Sequence, residues 1–181
     1  MTHEIIMAGF GGQGIMLIGT LLTYAGMKEG KKVSWLPSYG PEMRGGTANC
    51  AVVVSDEEIA SPVVTEPTSC IVMNGPSFAK FHKSVIPGGL LVLNSSLVKT
   101  DDHREDIRTL RIPANEVARE IGSEKVANMV CLGALVEATD CVPLDAVIRA
   151  LKDVIHERYH NLLPLNEEAL RKGASLARAG S

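Results

Sequence analysis

The chain has 181 residues, 45% of them hydrophobic and 22% charged, with a formal net charge of −3. That length supports one domain with a sizeable core, the composition is ordinary for a globular protein, and the slight acidity leaves no basic footprint for nucleic acid. No apolar run approaches the ~20 residues of a membrane span, and Met1-Thr2-His3-Glu4 runs straight into an apolar stretch without a signal-peptide pattern. The expectation is a cytoplasmic protein forming a single domain over residues 1–181.

Taken in order, the chain alternates strands and helices. A first strand is expected over Glu4 to Ala8, then a glycine run, Gly9-Phe10-Gly11-Gly12-Gln13-Gly14, then a helix from Gly12 to Glu29. Gly9, Gly11 and Gly14 satisfy G-x-G-x-x-G, and a strand, glycine turn and helix start together form an anion site because free N–H groups and the helix dipole point outward. The second strand, Lys32 to Leu36, carries none of the acid that a dinucleotide fold uses to hold a ribose. Glu29 has roughly the right spacing but falls in the last turn of the helix. A free-standing nucleotide (NAD-type) domain is therefore the rival reading.

Further strands are expected over Thr47 to Val54, Ser69 to Met73, Gly89 to Leu93 and Arg108 to Ile112. Runs such as Cys70-Ile71-Val72-Met73 and Leu90-Leu91-Val92-Leu93 are continuously apolar, the mark of strands buried on both faces. Helices are expected over Ser77 to Ser84, Ala114 to Ile121, Lys125 to Ala138, Leu144 to Tyr159 and Glu167 to Arg178, the last capped by Asn166. About ten Pro- and Gly-rich residues join the second strand to the third, too few for a crossover helix, so the third strand is free to run antiparallel. The fold class is α/β, a three-layer α/β/α domain with a mostly parallel, possibly mixed sheet of about six strands.

Two further patterns need weighing. Cys50, Cys70, Cys131 and Cys141 include no C-x-x-C pair and match no zinc or iron–sulfur spacing, so they read as buried structural thiols. His156-Glu157-Arg158-Tyr159-His160 matches the zinc protease signature H-E-x-x-H. On a helix it falls on the flank of the stripe Leu144, Val147, Ile148, Leu151 and Ile155, facing outward, and no third ligand has a recognisable spacing. The charged run Asp101 to Asp106 reads as a solvated loop or helix start.

The glycine run, followed by Tyr39-Gly40-Pro41-Glu42 and Arg44-Gly45-Gly46-Thr47, resembles the gamma subunit of 2-oxoacid:ferredoxin oxidoreductases. The likeness extends to Ala127-Asn128-Met129-Val130, Leu132-Gly133-Ala134 and Leu165-Asn166, and so spans nearly the whole chain. The resemblance implies a non-catalytic subunit of a complex that oxidatively decarboxylates a 2-oxoacid, places the acyl group on coenzyme A and passes electrons to ferredoxin. Thiamine diphosphate, Mg and iron–sulfur clusters would sit on the alpha, beta and ferredoxin-like partner subunits. Within the family, Ser38-Tyr39-Gly40-Pro41 and Thr47-Ala48-Asn49-Cys50 are most similar to the 2-oxoglutarate type; pyruvate, branched-chain and aryl enzymes share the architecture.

The expected site is then one patch: Gly9, Gly11, Gly12, Gln13 and Gly14 with Tyr39, Gly40, Pro41, Glu42, Arg44, Gly45, Gly46, Thr47 and Asn128. Exposed N–H groups beside Gln13 suit a coenzyme A phosphate or a partner carbonyl. Arg44 suits a phosphate or a partner carboxylate, with Glu42 holding it, and Asn128 serves either a ligand or the helix start. In isolation the same patch offers a surface for homodimerisation.

Overall fold

The computed structural model describes residues 1–38 and 47–180. Six strands, β1 (Thr2–Phe10), β2 (Lys32–Ser38), β3 (Thr47–Ser55), β4 (Ser69–Val72), β5 (Leu90–Asn94) and β6 (Arg108–Ile112), form one sheet in the order β2-β3-β1-β4-β5-β6. β1, β4, β5 and β6 run parallel to one another. β3 lies antiparallel between β2 and β1. The short β2–β3 connection forces this arrangement, because parallel neighbours need a crossover of a dozen or more residues. The mixed, mostly parallel sheet matches the expectation.

The helices are α1 (Ile15–Lys28), α2 (Gly75–Phe81), α3 (Ala114–Ile121), α4 (Ala127–Thr139), α5 (Leu144–Val154) and α6 (Leu163–Ala179). Alternation along the strands assigns the two faces. Ile5, Met7, Val52, Ile71, Val92 and Leu110 point to the large core under α1 and α3 to α6, whereas Ile6, Cys70, Val72, Leu91 and Leu93 point to a smaller core under α2. The second helical layer is thus a single short helix.

α4 is apolar on every side, and its residues Ala127 to Val136 are all buried. It is sandwiched between β4–β6 and α6. Two glycines set how closely the helices approach: a Cβ on Gly133 would lie 2.0 Å from the Leu170 carbonyl oxygen, and one on Gly173 would lie 1.9 Å from that of Val130. Backbone meets backbone there, so no side-chain rotation relieves a larger residue.

The opposite, amino-terminal edge of the sheet is pinned by charge. The Asp56 carboxylate, just past β3, accepts from Lys31, just before β2, and from the amino terminus of β1 at 2.9 Å. Lys31 and then the amino terminus hold the Asp56 carboxyl well down, at about 2. All four cysteines are free and buried; loss of water raises Cys70 and Cys141 and pushes the Cys50 and Cys131 thiols up to about 12, which leaves them inert.

Three sequence expectations need correction. The helix expected over Leu144 to Tyr159 stops at Val154, because Ile155 turns extended (φ −81°, ψ 128°). The segment Glu157–Leu162 is a 3-10 turn instead. H-E-x-x-H therefore has no helical register: His156 Nδ1 accepts from the Arg158 N–H at 3.2 Å, and His160 Nε2 donates to the Ile155 carbonyl at 2.8 Å. Asn166 does not cap the last helix, which begins a turn earlier at Leu163 with Pro164 in its first turn, where the missing N–H costs nothing. Asn166 Nδ2 instead donates to the Leu162 carbonyl at 2.8 Å. The Asp101–Asp106 run is a loop held by Arg104, which pairs with Asp106 and donates to the carbonyls of His82 and Val85.

Two measurements test this packing. Replacing Gly133 with Val is expected to cost ~1–3 kcal/mol through overpacking, a fall of about 3–10 °C in melting temperature for a chain of this size. Because the folded Asp56 carboxyl titrates at about 2, below its ordinary 3.8, its stabilisation is complete above pH 3.8 and fades as pH falls towards 2. Melting temperatures between pH 5 and 2 are expected to fall less steeply in Asp56→Asn than in the wild type.

Candidate functional site

Parallel strands deliver their carboxyl ends, and the helix starts that follow them, to one edge of a sheet. Here β1 ends at Phe10 and turns through Gly11-Gly12-Gln13-Gly14 into α1. The turn is held from within. Phe10 N–H donates to Gln13 Oε1 at 2.6 Å, and Gln13 N–H donates to the Phe10 carbonyl at 3.1 Å. Gly14 takes the N-cap position of α1 with φ 73°, a left-handed backbone that strains any L side chain, and it offers no side-chain cap. The first N–H groups of α1 consequently have no intrahelical partner.

Asn128 locks this turn to α4. Its Nδ2 donates to the Gly14 carbonyl at 3.1 Å, its Oδ1 accepts from the Met129 N–H at 2.9 Å, and the residue is buried. A Cβ on Gly14 would lie 2.3 Å from Asn128 Nδ2. Of the two roles open to Asn128 in the sequence, the geometry satisfies the positioning one: both ends of its amide are engaged.

Between the β1 and β4 ends, where crossovers leave to opposite faces, lies a crevice of about 200 Å³ lined by Gly12, Gln13, Met73, Asn115, Glu124, Lys125, Ala127 and Asn128. This is the topological switch point at which α/β sheets bind ligands. Its floor is fixed by Asn94, fully buried, whose Nδ2 donates to the Met73 carbonyl at 3.2 Å and to Asn115 Oδ1 at 2.9 Å. Glu124 is engaged by Arg119. Met73, Asn115, Glu124 and Lys125 were absent from the sequence-derived site. Their signal is positional: Asn115 opens the helix after β6, so strand order places it on this edge.

Of the expected patch, Gly9, Gly11, Gly12, Gln13, Gly14, Thr47 and Asn128 come together. Gly9 pairs with Ala48 and Phe10 with Thr47. Tyr39, Gly40, Pro41, Glu42, Arg44, Gly45 and Gly46 lie outside the described residues. The anchors of that stretch, Ser38 opposite Asn49 and Thr47 opposite Phe10, sit on the same sheet edge as the glycine turn.

The dinucleotide reading weakens further. Glu29 caps the far end of the 14-residue α1, ~21 Å from the glycine turn at the helical rise, and is held by Arg149 at 3.0 Å. Among the described residues no three His, Cys, Asp or Glu side chains gather as a metal site, and no helix is long and apolar enough to cross a membrane.

Asn128→Ala is expected to cost ~1–2 kcal/mol by releasing the Gly14 carbonyl and the α4 start. Hydrogen exchange at residues 12–16 is expected to quicken while β5 and β6 remain protected.

Known proteins share this arrangement. The chain is 37% identical over 178 residues to the ketoisovalerate oxidoreductase subunit VorA of Methanothermobacter marburgensis, covering 97% of this chain and 36% of that one. It thus spans about a third of the length of that relative. It is 37% identical over 158 residues to the 2-oxoglutarate synthase subunit KorC of Methanocaldococcus jannaschii, covering 86% of this chain and 84% of the relative. Its fold superposes on the gamma subunit of a keto/oxoacid ferredoxin oxidoreductase from Geobacter sulfurreducens with TM-score 0.84 and 30% identity, over 98% of this chain and 99% of that one. It also superposes on a 2-oxoglutarate:ferredoxin oxidoreductase from Magnetococcus marinus, solved with 2-oxoglutarate, coenzyme A and succinyl-CoA bound, with TM-score 0.88 and 28% identity, over 98% of this chain and 31% of that one. Residues 4–176 match the pyruvate ferredoxin/flavodoxin oxidoreductase family, and the chain belongs to that family.

Proposed function

We propose that this chain is the gamma subunit of a 2-oxoacid:ferredoxin oxidoreductase of the 2-oxoglutarate type. It docks on thiamine-binding subunits and contributes one wall of the coenzyme A approach. The complex converts a 2-oxoacid and coenzyme A to acyl-CoA and carbon dioxide, with two electrons leaving to ferredoxin. Thiamine diphosphate and the iron–sulfur clusters belong to the partner subunits. The cytoplasm is its setting.

The observation that carries this reading is a built but incomplete site. The crevice at the glycine turn lies at the switch point, yet its 200 Å³ is below the ~300–1,000 Å³ of sites that enclose a small molecule. It suits one end of a long cofactor whose remainder lies against other chains. Open N–H groups at the α1 start and the Lys125 ammonium favour a phosphate end. Gln13 keeps the turn shaped, and Asn128 holds it against α4. KorC relatives support 2-oxoglutarate over other 2-oxoacids; the match to VorA keeps a branched-chain 2-oxoacid as the second reading.

Arg44 is the sharpest test. In the purified complex, Arg44→Ala is expected to raise the KM for coenzyme A at least tenfold, with 2-oxoglutarate KM unchanged and all subunits still co-purifying. Loss of a subunit instead would assign Arg44 to assembly. Turnover with 3-methyl-2-oxobutanoate but not 2-oxoglutarate would replace the substrate.

A further inference from the structure

The two faces of the sheet are covered unequally. α2 packs mainly on β4 and β1, and among the described residues no helix lies on the carboxyl half of the second face over β2, β3 and the end of β1. Register places Leu36 beside Ala51, Ser38 beside Asn49 and Phe10 beside Thr47 on that face. Phe10 and Leu36 are 40% and 41% exposed. None of these six residues is ionisable. The outer helical layer is the opposite, laced with ion pairs such as Lys28–Asp153, Arg149–Glu29 and Arg171–Glu167.

We propose that this bare half-face is where a partner subunit of the complex seats, presenting a flat, uncharged side of its own. The proposal rests on the subunit reading above and adds the surface. Three strands about 4.8 Å apart and five residues long at about 3.4 Å each give roughly 250 Å², well short of the ~800 Å² per side of a stable dimer. The patch is therefore too small to hold a second copy of this chain and suits one part of a broader contact with a larger partner. Strand addition at the neighbouring edge is also blocked, because β2 carries Lys32 and Pro37 there. The relatives of which this chain spans 36% and 31% carry further residues in the same chain as the matching domain.

The test is co-expression with the thiamine-binding subunits, comparing wild type with Leu36→Glu and Ala51→Glu. Leu162→Glu, at an equally exposed leucine in the helical layer, is the control. All should melt within a few degrees of wild type. Wild type and Leu162→Glu are expected to co-purify with the partners, while Leu36→Glu and Ala51→Glu lose binding at least tenfold. In the wild-type complex, exchange at β2 and β3 is expected to slow. Failure of wild type to join the partners overturns the subunit reading and this one together. Full binding by both face variants, with β2–β3 exchange unchanged, overturns the surface alone. So does a concentration-dependent dimer of the isolated chain that Leu36→Glu dissolves.

Discussion

One strand running against its neighbours organises this molecule. β3 fits antiparallel between β2 and β1, and its ladder brings three separate stretches of chain to a single edge: the end of β1, the end of β2 and its own beginning. The glycine turn and both anchors of residues 39–46 are neighbours for that reason and no other. The same strand arrives without a crossover helix, so among the described residues no helix lies on the carboxyl half of the second face of β2 and β3. The helix-free half-face is thus a consequence of one eight-residue connection.

The two edges of the sheet are treated differently. At the amino edge, Asp56 gathers Lys31 and the chain start, and the Thr2 and Ser55 hydroxyls meet at 2.7 Å. At the carboxyl edge, amides such as Asn94 and Asn128 fix the backbone, while the first donors of α1 stay open. Rigid support beneath unsatisfied donors is the arrangement a binding surface needs. It lets the loop side chains vary without disturbing the frame.

The sheet was largely legible because its runs are long, apolar and bounded by glycine or proline, and the antiparallel strand followed from connection length alone. α4 was legible as a helix by its length. The α5 end was not, since Ile155 continues the apolar stripe in sequence while its backbone turns extended; periodicity is blind to the torsion of one residue. The α6 start was misplaced because Pro164 reads as a breaker from one side and as a helix opener from the other. At the site, the glycine turn declared itself by composition. Met73, Asn115, Glu124 and Lys125 did not, because only strand order places a residue following β4 or β6 beside one following β1.

The contact between α4 and α6 carries a consequence for how the protein is made. α4 is greasy all round and its partner α6 comes later in the chain, so during synthesis the sheet can form around α4 while its outer side still waits for residues some 40 positions later. The ribosome adds those residues over seconds, and for that interval an apolar helix faces solvent with only its own collapsed chain to shield it. Damage to the final seventeen-residue helix exposes the centre of the domain, not its periphery.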